Sequence, residues 1–183
     1  MFTCSGTAIA TTDSATFTST DYENVISAVI AAYDAETAGQ DQTDWAGCVL
    51  RLAGHDLMDY NVDDPSTLGG SDGCLSFSDP ANFGLRECLT GSSILTVYDG
   101  VCDTVSLADF ITWSGEAVAG RTHASYDAVD PWHDDGLLWN FRNITTVGRT
   151  TADTCAFVAG RLPNPENSCD DLEAVFVDHV FKN

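Results

Sequence analysis

The sequence predicts an all-α domain, on three observations. Apolar residues fall at helical spacing in two early stretches, a central run is apolar on most of its sides, and a final stretch carries one apolar stripe. At 183 residues the chain is long enough for a single domain with a core of its own, spanning residues 1–183.

Residues 1–19, rich in Thr and Ser, read as an extended N-terminal arm tied down through Cys4. Thr20 and Glu23 form a capping-box pattern, and behind them Val25, Ile26, Val29, Ile30 and Tyr33 repeat with the period of a helix. The polar stretch 39–43 breaks the pattern. A second helix then runs from about Asp44 to Met58, with Trp45, Val49 and Leu52 facing inward. Residues 59–81 carry the Asp, Gly, Ser and Pro of an ordered loop, and a short helix follows Asn82. The run 105–119 belongs to a central helix, which makes Trp113 a core residue. From Gly120 to Asn167 periodicity disappears into a long irregular loop bearing Trp132, Trp139 and Phe141. A last helix over 168–181 places Leu172, Val175, Phe176, His179 and Val180 on one stripe, so that His179 reads as a packed core histidine. The expectation is four or five helices.

Seven Lys and Arg against 28 Asp and Glu leave a net charge of −21. A field of that sign repels phosphate backbones and anionic lipid, which makes nucleic acid and membrane surfaces poor candidate partners and favours neutral or cationic molecules. It is also a charge that a protein in high salt can carry, because screening there removes the self-repulsion. The seven cysteines (Cys4, Cys48, Cys74, Cys88, Cys102, Cys155 and Cys169) show no zinc-type spacing, and predict at least two disulfides and an oxidising, extracellular or secretory location. The sequon at Asn143 makes that residue a candidate glycosylation site and points the same way. No stretch approaches the roughly 20 apolar residues of a membrane span. The N-terminus lacks the basic start and apolar run of an export signal, so a processed chain is expected, with the odd cysteine free or bonded to another chain.

Chemistry concentrates in Arg51-Leu-Ala-Gly-His55-Asp56 and in Gly69-Gly70-Ser71-Asp72-Gly73. Arg51 and His55 are four apart and share a helix face. A base beside a fixed cation suits a reaction that moves a proton while negative charge builds on a leaving oxygen, as peroxide cleavage does. Asp79-Pro-Ala-Asn82-Phe-Gly-Leu85, Val105-Ser-Leu-Ala-Asp109-Phe-Ile111, Val147-Gly-Arg149 and Gly160-Arg-Leu-Pro163 follow in order. With these motifs in register the chain resembles the plant, fungal and bacterial haem peroxidases, nearest in wording to the cytochrome c peroxidase and ascorbate peroxidase branch.

That resemblance implies the distal half of an all-α haem-peroxidase fold, reducing hydrogen peroxide and oxidising a small neutral or cationic donor. It makes His55 the proton-transferring distal histidine and Arg51 the group that stabilises charge on the breaking O–O bond. Asn82 would hold the other imidazole nitrogen and so set the tautomer. Asp56, Gly70 and Asp72 match the family's distal calcium ligands, oxygen donors at a glycine-rich turn. Three positions depart from the family pattern. Gly54 stands where an aromatic roofs the haem, and leaves that space open. Cys74 replaces a calcium-binding Ser or Thr, and its soft sulfur belongs rather in a disulfide. The pattern Asp170-Asp-Leu-Glu-Ala-Val-Phe176 places the iron-binding histidine roughly ten residues beyond Asn183. The chain by itself is therefore expected not to hold haem through a proximal histidine. The alternative is a haem-free pseudo-peroxidase, a secreted structural subunit of a larger assembly. Among the remaining residues, His123 and His133 read as solvated loop histidines, and Asp59, Asp63 and Asp64 as a solvated acidic loop.

Overall fold

The computed structural model describes residues 2–60, 69–127, 146–155, 160–164 and 166–177. Asn143, Trp132, Trp139, Phe141, His133, His179, Asp63 and Asp64 lie outside them. Among the described residues are six α-helices: α1 Ser19–Ala35, α2 Gln40–Met58, α3 Leu85–Thr90, α4 Ile94–Asp99, α5 Leu107–Asp127 and α6 Cys169–Val175, with a 3-10 turn at Pro80–Asn82. The all-α reading holds.

α5 packs against both α1 and α2, and the core forms where the three meet. Val25, Ile26 and Val29 enter it from α1, Trp45, Val49 and Leu52 from α2, and Phe110, Ile111, Trp113 and Val118 from α5. Trp113 is fully buried, stacked on Phe17 at 5.1 Å and met edge-on by Tyr22 at 5.5 Å. α2 and α5 approach so closely that a Cβ added at Gly115 would stand 2.7 Å from the Cβ of Ala53. Gly115→Ala should therefore destabilise the chain by about 1–3 kcal/mol through overpacking. Adding Ala53→Gly should recover most of that loss, because the contact regains its room while the helix propensity gained at 115 and that lost at 53 cancel. Thermal melts of the single and double variants test the pair; an unchanged Gly115→Ala midpoint would show that the helices can part freely.

Several boundaries differ from the sequence reading. The capping box is formed by Thr18 and Asp21, two residues before the expected Thr20 and Glu23. α2 begins at Gln40 rather than near Asp44; Gln40, Asp41 and Thr43 of its first turn are exposed and Gln42 is half-buried against the Tyr33 carbonyl, so the turn carries no apolar period. The six-residue α4 was not expected. α5 continues to Asp127, which puts His123 on a helix and half-buried rather than in a solvated loop. On α6, Val175 is buried but Leu172 is 47% exposed, so the predicted stripe does not hold there.

Three disulfides form, Cys4–Cys102, Cys48–Cys88 and Cys74–Cys155, and Cys169 is free and exposed. Disulfide pairing of this kind is the chemistry of an oxidising compartment. Cys4 is one of several ties on the N-terminal arm: Ile9 N–H donates to the Cys102 carbonyl at 3.0 Å, Thr11 bridges to Thr150, and buried Thr12 accepts from Ser106 N–H. Two of the ordered motifs prove to be one clasp. The fully buried carboxylate of Asp109 accepts from Gly148 N–H at 2.9 Å and from the Arg149 side chain at 2.9 Å. No helix among the described residues is long and apolar enough to cross a membrane.

Candidate functional site

α2 carries two chemically distinct positions side by side. His55 lies with Arg51 on the edge of the helix, whereas Asp56 continues the core stripe of Trp45, Val49 and Leu52 and is only 1% exposed.

His55 meets the 3-10 turn. Asp79 caps that turn by accepting from Ala81 N–H at 2.9 Å, and Pro80 occupies the first helical position, where no N–H is needed. The turn carries Asn82 inward. Its amide nitrogen donates to the Ser76 carbonyl at 2.8 Å, which leaves its oxygen 2.8 Å from His55 Nδ1. With that oxygen as acceptor, Nδ1 must carry the proton and Nε2 must be the acceptor. Arg51 Nε donates towards Nε2 at 3.4 Å, while its terminal nitrogen donates to the Ala81 carbonyl at 3.1 Å. Asn82 and Arg51 each hydrogen-bond His55, but His55 and Arg51 do not share a cavity. A small recess of about 10 Å³, room for little more than one water molecule, lies on the Asn82 side of His55, lined also by Asp59, Asp79, Leu75 and Leu162. Arg51 does not line it, because its guanidinium turns to the Ala81 carbonyl.

Burial is the main cause lowering the His55 pKa below the ordinary histidine value, with Arg51 pushing the same way and Asn82 and Asp79 opposing. The imidazole is therefore neutral near pH 7, the state a general base requires. Because the folded pKa lies below the unfolded one, the fold resists protonation of His55, and stability is lost as pH falls below about 6.5. His55 should titrate below 6.5 by NMR, and lower still in Asn82→Ala, which removes the bond that favours imidazolium. A midpoint at or above 6.5 in the parent chain would contradict this environment.

Successive amides of one turn hold Asp56 and Asp72, whereas Gly70 lies against Tyr60 and its carbonyl accepts from Asp72 N–H at 2.6 Å. Asp56 Oδ2 accepts from Gly73 N–H at 3.2 Å, and Asp72 Oδ1 accepts from Cys74 N–H at 2.9 Å. Asp56 Oδ1 is buried with no hydrogen-bond partner among the described residues. Burial, reinforced by Asp72 and Asp59, pushes the Asp56 pKa up to about 8. Gly73 adopts φ +72° and presses on α5, so that a Cβ there would lie 2.9 Å from the Ala108 nitrogen; only glycine suits this turn. Among the described residues no cluster of three or more His, Cys, Asp or Glu side chains could hold a metal ion. A cation here would rest on the two carboxylates, since the Gly70 and Asp72 carbonyls already accept from Asp72 N–H and Ala152 N–H.

Asp59, expected to be solvated, is instead half-buried and paired with the 2%-exposed Arg161 at 3.1 Å. Sequence reasoning gave Arg161 no role. It also missed Asp79 and Ser76, although the turn signature Asp79-Pro-Ala-Asn82 already implies a side chain capping its own turn. No protein-family model matches the chain, and no curated protein it was compared with matches it either.

Proposed function

We propose that Arg51, His55 and Asn82 form the proton-transfer side of a peroxide-cleaving site of the haem-peroxidase kind. The observation that carries the reading is the locked amide of Asn82, which leaves His55 Nε2 as a proton acceptor beside a fixed cation. In this reading His55 takes the proton from one peroxide oxygen and returns it to the departing oxygen, while Arg51 stabilises the negative charge that develops. Haem, when bound, would supply the iron that holds the peroxide and accepts its oxidising equivalents. Two features fit such a cofactor. Gly54 leaves open space, since a Cβ added there would meet only the Met58 methyl, at 3.9 Å. Leu50, Leu57 and the 84%-exposed Phe83 present apolar surface on α2 and just after the 3-10 turn. Of the chain's histidines the reading uses only His55, and leaves the axial ligand to a further segment or chain. The buried Asp56 oxygen, unpartnered among the described residues, fits a calcium ion held together with Asp72.

All five arginines among the described residues are engaged internally: Arg51 on Ala81, Arg86 over Phe77, Arg121 on Asp34, Arg149 on Asp109 and Arg161 on Asp59. The other Asp and Glu side chains among the described residues give a surface in which acid outweighs base, which favours a neutral or cationic electron donor over an anionic one.

The test supplies the missing ligand in solution. Hemin and imidazole added to the oxidised chain should give a saturable change in the Soret band and peroxide consumption above that of hemin with imidazole alone. A chain that adds nothing would sink the reading. It would leave a second one, favoured by the three disulfides and the exposed Cys169 thiol: a haem-free, disulfide-braced subunit of an assembly.

A further inference from the structure

The turn that faces Asp56 is clamped from two sides. Gly73 lies against the α5 backbone at Ala108, and the segment 150–155 runs along the other side, with Ala152 N–H donating to the Asp72 carbonyl at 2.9 Å and the Thr151 hydroxyl accepting from Ala108 N–H at 3.2 Å. Cys74, whose N–H holds Asp72, is bonded through sulfur to Cys155 in that segment. Two successive amides of the turn therefore hold the two carboxylates, and one disulfide fixes the turn that carries them.

We propose that the Cys74–Cys155 disulfide is the brace of a calcium site at Asp56 and Asp72, and that its reduction releases the ion. The inference rests on the calcium reading given above. A side-chain oxygen at position 74 could ligate the ion directly; a disulfide instead positions ligands supplied by its neighbours. Cutting it removes a cross-link between residues 81 apart in sequence, which leaves the turn to the weaker hold of single hydrogen bonds. Cys74 is buried like Cys48 and Cys102, but its partner Cys155 is exposed whereas Cys88 and Cys4 are half-buried, so this is the bridge an external reductant reaches first, through the Cys155 sulfur. The step balances with a small dithiol. It gives two electrons and two protons to the bridge, leaves as its own cyclic disulfide, and produces the thiols of Cys74 and Cys155.

The test is a calorimetric calcium titration of the full oxidised chain, of Cys74→Ala/Cys155→Ala, and of Cys48→Ala/Cys88→Ala as a control. The parent and the control should bind one calcium per chain, and the Cys74/Cys155 variant at least tenfold more weakly. Equal affinity in that variant overturns the brace but spares the calcium reading; no binding by the parent overturns both. A second measurement needs no variant. By reciprocity of linkage, calcium should slow alkylation of Cys74 and Cys155 in graded dithiothreitol without protecting Cys48 and Cys88. Identical alkylation with and without calcium would overturn the proposal.

Discussion

In chelator at pH 7, Asp56→Asn should unfold roughly 5–10 °C above the parent chain. Asp56 is 1% exposed, one of its oxygens has no partner among the described residues, and burial pushes its pKa up to about 8. In the unfolded chain the same carboxyl ionises near the ordinary aspartate value. The folded pKa is thus the higher one, so the native state binds the proton more tightly. Whatever stability this group contributes is present in acid and is lost as pH rises from about 4 towards 8. At pH 7 the cost of keeping Asp56 protonated in the fold reaches about 4 kcal/mol. Asparagine, uncharged and of the same shape, removes most of it: its oxygen can accept from Gly73 N–H, and the remaining cost is a buried amide NH2 in place of the unpartnered oxygen. The parent should therefore lose stability between about pH 5 and 8 more steeply than the variant.

Calcium should reverse the order. An ion that binds only the folded parent stabilises it by mass action, while the variant, with one carboxylate fewer, responds weakly. An Asp56→Asn chain less stable than the parent in chelator would show that the carboxylate is satisfied where it lies, and the calcium reading would lose its main support.

Asp56 also shows what the sequence could have revealed and did not. Trp45, Val49, Leu52 and Asp56 follow the 3.6-residue period, so an acid sits at the next position of an apolar stripe. The long helices were legible because their periods run over many turns. α4 was not, since six residues between Ser93 and Gly100 are too few to show a period. The cap of α1 was ambiguous for a different reason. Thr18 with Asp21 and Thr20 with Glu23 both spell a capping box, and local sequence does not choose between them. Pairings across long separations were beyond reach of any window: Asp59 with Arg161 at 102 residues, and each disulfide partner. His55 and Asn82, 27 apart, were joined only by motif wording, and their 2.8 Å contact now gives that pairing a physical basis.

If the proton-transfer reading holds, His55→Ala should slow peroxide consumption by the imidazole-supplemented hemin complex by about 10²–10⁴-fold, the range for a positioned general acid–base group. The loss should fall on the peroxide step, with the Soret change on assembly retained, because alanine frees space without touching the face that a cofactor would cover. Asn82→Ala should lose less. The imidazole remains, but without the amide oxygen its tautomer is no longer fixed, and only the fraction with Nε2 unprotonated can accept a proton. Arg51→Lys separates charge from shape. Lysine keeps the cation but not the fork that reaches both Nε2 and the Ala81 carbonyl, so it should recover only part of the activity lost in Arg51→Ala. Stopped-flow traces at saturating hemin and imidazole measure all four variants. Equal rates for His55→Ala and the parent would mean that the chain supplies only a surface for hemin, and that the His55–Asn82 pair serves to fasten α2 to the 3-10 turn.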